Sequence, residues 1–404
     1  MPGSVGRPWT PAVKSNTFNV VNRGFSNIDA GPPDDDPGAP PPPAGAAGGV
    51  PETQRPRAKD VARLAGVSTA TVSRVINSPL LVEPDTLLAV REAMAKLRYL
   101  PHGAARALRS HRSHMVGAVV PSFDYALYAR TTSAMQAVLE PKGYSLVLAE
   151  HHYDLPSELR VTAQLISHAV DAFFFVGLAH DPTLFALLAD YGRPYVLSWG
   201  VDPLRQHPSV GFDNRAATYE MTRYLVSLGH RRFGLLSARP EGNDRATERG
   251  IGVRSALAQA GLELDERCVR YGPIDLNAAA AMMRELLALD EPPTVVIGTN
   301  DVFAVGAMLA CREAGVRIPE DLSITGVDNT DLGATQTPGL TSIRTPIVEI
   351  GQAAAQHLIA RLEGRPVNLF QTLPFELVIR GSTAAPRSSA GIAALARSRT
   401  APTR

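Results

Sequence analysis

Residues 61–77, VARLAGVSTATVSRVIN, decide how this chain is to be read. Val61, Leu64 and Ala65 fall at i, i+3 and i+4, the spacing of one helix face. Gly66 then interrupts the pattern, as a residue that takes positive φ at a helix end. Ser68 is a natural N-cap for a second helix. There Val72, Val75 and Ile76 repeat the apolar stripe. If the second helix packs through those three, Thr69, Ala70, Ser73, Arg74 and Asn77 face outward. Small, polar and cationic groups of that kind can meet phosphates and base edges. A third helix is expected from Glu83-Pro84, with Pro at a favoured first position. Its buried face would be Leu87, Val90, Met94 and Leu97. An ordinary helical hairpin has the same apolar spacing, so charge has to separate the two readings.

The formal net charge of the 404 residues is only +1, but it is unevenly spread. Residues 55–114 hold 11 Lys/Arg against 4 Asp/Glu, whereas residues 1–54 hold 3 against 5 and residues 115–404 hold 26 against 30. One short segment thus carries the positive charge, as in a nucleic-acid-binding module joined to something else.

The length allows two or three domains. Residues 31–51 contain 8 Pro and 5 Gly in 21 positions. Such a composition cannot bury enough apolar surface to offset its ordering entropy. Residues 1–54 are therefore expected to be a disordered extension. Residues 55–100 form the helical module, 101–114 a hinge and linker, 115–385 a larger α/β region, and 386–404 a flexible tail without a heptad repeat.

From Met115 onward, strands and helices alternate. Strands are expected at 116–120, 145–149, 172–176, 195–198, 233–237, 294–297 and 323–327, with helices such as 216–228, 252–260 and 278–289 between them. This alternation implies parallel sheets covered on both faces. About 270 residues fit two doubly wound lobes with a cleft between them, and ligands of such sheets bind beyond the carboxyl ends of the strands.

No apolar run reaches the roughly 18 residues of a membrane span. The N-terminal MPGSVGRPWTPAVK lacks the charged-then-apolar pattern of a secretory signal, so a cytoplasmic location without membrane attachment is expected. Cys268 and Cys311 form no metal-binding spacing and read as reduced structural thiols. The sequence has no G-x-S-x-G, P-loop, G-x-G-x-x-G or H-E-x-x-H. Neither catalysis nor a cofactor is expected, and His151-His152 reads as a surface or loop pair.

KDVARLAGVSTATVSRVIN, residues 59–77, resembles the N-terminal helix-turn-helix of the lactose-repressor/galactose-repressor family of bacterial transcription regulators. The resemblance continues through LRYLPHGAARALRS, LGHRRFGLLS, TNDVFAVGAM, RIPEDLSITGVDN and PGLTSIRTP, from about Lys59 to Thr383. It implies an all-α DNA-binding domain followed by a two-lobed α/β region like a periplasmic binding protein. It places Thr69 and Ala70 at base-reading positions, with Arg74 able to grip guanine, and Ser68, Thr71, Ser73 and Asn77 at phosphates. It puts Leu108 at a minor-groove wedge position, flanked by Arg106 and Arg109. This hinge departs from the usual pattern at His102-Gly103, where interior Gly costs about 1 kcal/mol relative to Ala. A hinge that folds only on DNA is therefore expected.

Strand ends and the family pattern together nominate Tyr125, Tyr128, Trp199, Arg249, Asn300, Asp301 and Asp328 for the cleft. Arginine, amide and carboxylate groups beside aromatic faces suit a small polar effector. Arg249 is the leading candidate, since a guanidinium fork grips oxygen pairs. Its replacement is expected to remove the ligand response and spare DNA affinity. The first-strand loop, PSFDYALYART, departs from the family's Asp and Asn-Pro-Phe-Phe, so ligand class cannot be copied from a relative. A sugar leads, and a nucleobase or small organic acid stays open. The expected protein is a ligand-responsive homodimeric regulator, most simply a repressor, on a near-palindromic operator in double-stranded DNA. A solute-binding protein and an α/β enzyme are the competitors. The charged segment argues against the first, and the missing catalytic set against the second.

Overall fold

The computed structural model describes residues 56–100 and 112–387. They fall into two compact units, one ending at Tyr99 and one beginning at Leu100. The expected extension and nearly all of the hinge and tail, including Arg106, Leu108 and Arg109, lie outside the described residues.

The first unit is three helices, α1 (Ala58–Ala65), α2 (Thr69–Asn77) and α3 (Pro84–Lys96). Gly66 closes α1 at φ 67°, donating its N–H to the Ala62 carbonyl. The Ser68 hydroxyl accepts from the Thr71 N–H at 3.0 Å and starts α2. Val61, Ala62, Val72, Val75, Val90, Ala93 and Tyr99 form the core. One expectation fails here, because Leu64 is 50% exposed. Ala58, Val61, Ala62 and Ala65 share the inward face of α1. At about 100° per residue, Leu64 points roughly 110° away from its middle.

The second unit holds two six-stranded sheets. The first has the order β11-β5-β4-β3-β1-β2, and its paired strands run parallel throughout. Its strands are β1 (Met115–Val120), β2 (Ser145–Glu150), β3 (Ala172–Val176), β4 (Tyr195–Ser198), β5 (Ser209–Gly211) and β11 (Phe370–Thr372). The second has the order β12-β10-β9-β8-β6-β7, with β12 antiparallel to β10. Its strands are β6 (Phe233–Ser237), β7 (Val269–Tyr271), β8 (Val295–Gly298), β9 (Ser323–Asp328), β10 (Thr341–Arg344) and β12 (Glu376–Val378). Every residue of β3, β6, β8 and β9 is buried, as expected of strands covered on both faces.

Helices α4 (Ala126–Leu139), α5 (Leu155–Ser167), α6 (Pro182–Asp190) and α12 (Ile347–Leu362) belong to the first lobe. Helices α7 (Asn214–Ser227), α8 (Asp244–Gln259), α9 (Leu276–Leu287), α10 (Asp301–Ala314) and the short α11 (Asp331–Ala334) belong to the second. The chain crosses between lobes three times, at residues 212–213, 345–346 and 373–375.

Helix α8 begins eight residues before the expected Gly252. Glycine there is a packing requirement within the helix. A Cβ on Gly252 would lie 2.2 Å from Thr218 Oγ1 and 2.3 Å from the Arg215 carbonyl oxygen of α7. The strands β5, β7, β10, β11 and β12 were not foreseen. Four of them have three residues, too few to show alternation.

Candidate functional site

The carboxyl ends of the strands meet in a cleft between the lobes. Tyr125 and Tyr128 follow β1, Tyr153 follows β2 and Trp199 follows β4. From the second lobe come Asn243, Arg245 and Arg249 around the start of α8, Thr299 and Asn300 after β8, and Asp328 at the end of β9. The space they enclose is about 30 Å³. Tyr153, Trp199 and Asp328 have φ of 61°, 66° and 110°. Non-glycine residues there cost on the order of 1–3 kcal/mol each and cluster at functional sites.

Arg249 is a buried hub. Its Nε donates to Asn214 Oδ1 at 2.8 Å and its Nη1 to the Thr299 carbonyl at 2.6 Å, while Nη2 lies 3.6 Å from Asp328 Oδ1. Asn214 in turn donates to the Trp199 carbonyl at 2.6 Å. The guanidinium therefore ties α7, the β8 loop and β9 together, and most of its fork is directed at the protein. Burial pushes the Asp328 carboxyl up to about 7, against the opposing charge of Arg249. Asp328 Oδ2 accepts from the Tyr125 hydroxyl, a bond that spans the cleft from one lobe to the other. Burial, with the charge of Asp328, also holds Tyr125 well above the usual phenol range.

Six of the seven expected cleft residues line this space; Asp301 does not. It follows the N-cap Asn300 and turns inward, accepting from the Thr330 N–H at 2.6 Å, the Thr330 hydroxyl at 2.8 Å and the Ser342 hydroxyl at 2.6 Å. The role expected for it in effector binding gives way to holding α10 against β10 and the segment after β9. Asn300 itself caps α10 through Phe303 N–H at 3.0 Å. Its side-chain oxygen is thereby engaged.

The lining residues missed in the sequence include four polar or aromatic ones, Tyr153, Asn243, Arg245 and Thr299. Arg245 stands one helical turn before Arg249, a spacing that would have placed both on one face. Its Nη1 donates to Asp244 Oδ1 at 2.8 Å, and its Nη2 is buried without a partner. Trp199 Nε1 and Asp328 Oδ1 also lack hydrogen-bond partners. Two donors and one acceptor on residues that line the cleft are thus without a hydrogen-bond partner, beside four aromatic rings.

His151 is buried rather than on the surface, while His152 is exposed. Behind the cleft His151 lies 3.6 Å from Glu158, which also meets His180 at 2.9 Å. Burial pushes the His151 imidazole down to about 4, against the opposing charge of Glu158, so it is neutral at pH 7. Among the described residues no cluster is arranged to hold a metal ion, and no helix is long and apolar enough to cross a membrane.

On the first unit, Ser68, Thr69, Ala70 and Arg74 are exposed, and Thr71 and Ser73 are partly so. The Asn77 side chain lies outside what is described. The Ser68 and Thr71 hydroxyls bond each other at 2.9 Å within the N-cap. This leaves Thr69, Ala70 and Arg74 as the prominent outward groups of α2, opposite the buried Val72 and Val75.

Two family models match separate parts of the chain. Residues 58–102 match the family described as bacterial regulatory proteins, lacI family, and residues 222–383 match a periplasmic binding protein-like domain. The regulator CelR of Thermobifida fusca is 34% identical over 343 residues, covering 81% of this chain and 98% of the relative. The repressor PurR of Pectobacterium carotovorum is 32% identical over 309 residues, covering 76% and 90%. Among solved structures, the lac repressor dimer bound to operator and the anti-inducer ONPF superposes with a TM-score of 0.73 at 27% identity, over 82% of this chain and all of that one.

Proposed function

The chain belongs to the LacI family of bacterial regulatory proteins, and on that premise we propose that it is a homodimeric repressor whose cleft takes an uncharged, polyhydroxylated effector, most simply a sugar. The charge balance of the cleft carries the choice of effector class. Each of its cations already faces a carboxylate, Arg245 with Asp244 and Arg249 with Asp328. An organic acid or a sugar phosphate would bring an uncompensated negative charge into a buried site, which is costly. A sugar instead offers hydroxyls to Trp199 Nε1, Arg245 Nη2 and Asp328 Oδ1, and an apolar face to the tyrosines. The enclosed 30 Å³ holds about two waters, so entry requires the lobes to part or a side chain to move.

For DNA, α2 would lie in the major groove, with Arg74 reading guanine and Thr69 and Ala70 meeting thymine methyls. Dimerisation would place two copies of α2 on the halves of a near-palindromic operator. The first sheet supports this with an edge of unusual character. A groove of about 610 Å³ runs between α4 and β2, lined by Phe123, Tyr128, Thr132, Leu146 and Leu148 among others. Phe123 and Leu148 are nearly half exposed. Gln136 already accepts the outward Leu146 N–H at 3.0 Å, so a second copy would pack there through side chains rather than by adding a strand.

The test is a thermal-shift series with neutral mono- and disaccharides against organic acids and sugar phosphates, together with gel shifts on candidate operators at several salt concentrations. Stabilisation by acids alone would overturn the effector class. Absence of specific duplex binding at every salt would overturn the regulator assignment.

A further inference from the structure

Residues 242–245 of the second lobe meet the first lobe at two glycines. Gly242, at φ 67°, sits so close to Tyr153 that a Cβ would lie 2.9 Å from the Tyr153 carbonyl oxygen. Gly177, at φ 99° just after β3, faces Asp244 and Arg245. A Cβ there would lie 2.0 Å from Arg245 Nη1 and 2.6 Å from Asp244 Oδ1. Gly177 is itself fixed: its N–H donates to the Ser198 carbonyl at 2.8 Å, and its carbonyl accepts from His180 Nε2 at 3.0 Å. It is therefore a rigid seat for the Arg245 guanidinium, which also lies 5.9 Å from the centre of the Tyr153 ring.

The seat holds Arg245 without satisfying it. Nη2 is buried without a partner, and a buried donor left unpaired is costly. The bond from Nη1 to Asp244 is to the neighbouring residue and travels with it. Both residues lie in the first turn of α8, where the helix dipole favours Asp244 and opposes Arg245. Arg249, one turn on, is instead tied to Asn214 and Thr299. One arginine is built into the cleft, and the other only rests in it.

We propose that Arg245 is the gate of the effector cleft: the side chain that leaves its seat against Gly177 to let a ligand enter, and whose freed Nη2 then donates to that ligand. This rests on the effector reading above, which requires the lobes to part or a side chain to move. It makes Gly177 a determinant of access, although Gly177 does not line the cleft.

The experiment needs no identified effector. Trp199 lines the cleft and is buried, and in a Trp9→Phe background it is the only tryptophan. Quenching of its emission by acrylamide reads access to the cleft. Gly177→Ala, whose methyl takes the seat, should raise the quenching constant severalfold over the parent, and Arg245→Ala should do the same. The two together should quench no more than Arg245→Ala alone, because the methyl then has no guanidinium to unseat. Backbone strain at Gly177 would persist without the arginine, so this non-additivity separates a gate from strain. If Gly177→Ala does not fold by circular dichroism, the double variant should fold; its failure as well would put the cost in the backbone and overturn the seat. Unchanged quenching in folded Arg245→Ala, or additive quenching in the double variant, would overturn the gate and leave the effector class standing on its thermal shifts. Quenching as expected, with stabilisation of the parent by acids alone, would keep the gate and overturn the effector class.

Discussion

Replacing Arg249 with methionine would test whether the cleft is built as described. The guanidinium supplies bonds to Asn214 and Thr299 and the countercharge to Asp328, all buried. Breaking a buried ion pair by removing one partner costs about 3–5 kcal/mol. At about 2–4 °C per kcal/mol for a unit of this size, the melting temperature should fall by roughly 6–20 °C. Part of that cost is the ionised Asp328, and its sign with pH can be worked out. Its carboxyl is raised to about 7 in the folded protein, from 3.8. The native state therefore keeps a proton that the unfolded chain has lost, and stability falls as pH rises between those values. Without Arg249 the folded value rises further and the decline extends to higher pH. Urea unfolding followed by circular dichroism should show a large defect at pH 8 and a smaller one at pH 5, where Asp328 is neutral in both proteins. The remainder at pH 5, about 1–3 kcal/mol, is the unpaired Asn214 and Thr299 oxygens. Adding Asp328→Asn should recover part of the loss at pH 8. A defect below about 1 kcal/mol, or an equal one at both pH values, would refute the hub.

Ser68→Ala should destabilise the helical unit by about 1 kcal/mol through loss of its cap, seen as a lower unfolding midpoint of a fragment ending near Leu100 if that fragment folds. Arg74→Ala should weaken specific operator binding by about 1–3 kcal/mol and relax preference at one base pair of each half-site, measured by competition gel shift. Gly252→Ala should destabilise the effector unit by about 1–3 kcal/mol, because its methyl would meet Thr218 and the Arg215 backbone. Helix propensity alone predicts the opposite sign, a gain of about 1 kcal/mol, so chemical denaturation separates the two arguments.

The architecture was legible because its signals are periodic and local. The strands 172–176, 195–198 and 233–237 match their expected bounds, being apolar runs closed by turns. Gly66 and Ser68 likewise reveal themselves, since a left-handed helix end and an N-cap each demand few residue types. The cleft was legible only in outline. Arg249 stood out by pattern, but its bonds to Asn214 and Thr299 join residues 35 and 50 positions away, which no local signal encodes. For that reason it reads in sequence as a ligand clamp and in structure as a support for the site. Asp301 was misplaced because one residue along a helix turns a side chain by about 100°, from the cleft to the interior. His151 lies in the loop after β2 as expected, but its burial beside Glu158 and Tyr153 depends on the fold around it and has no local signal.

The three crossings between lobes also set a timetable for synthesis. Strand β11 completes the first sheet beside β5, and β12 completes the second beside β10. Neither lobe can close until residues near 378 have left the ribosome, although β1 begins at Met115. At about 5–20 residues per second, the first strand waits on the order of 10–50 s for its sheet to be finished. The helical unit, complete by Tyr99, is free to fold long before. A nascent or prematurely ended chain therefore carries its DNA-facing helices ahead of any device that could regulate them.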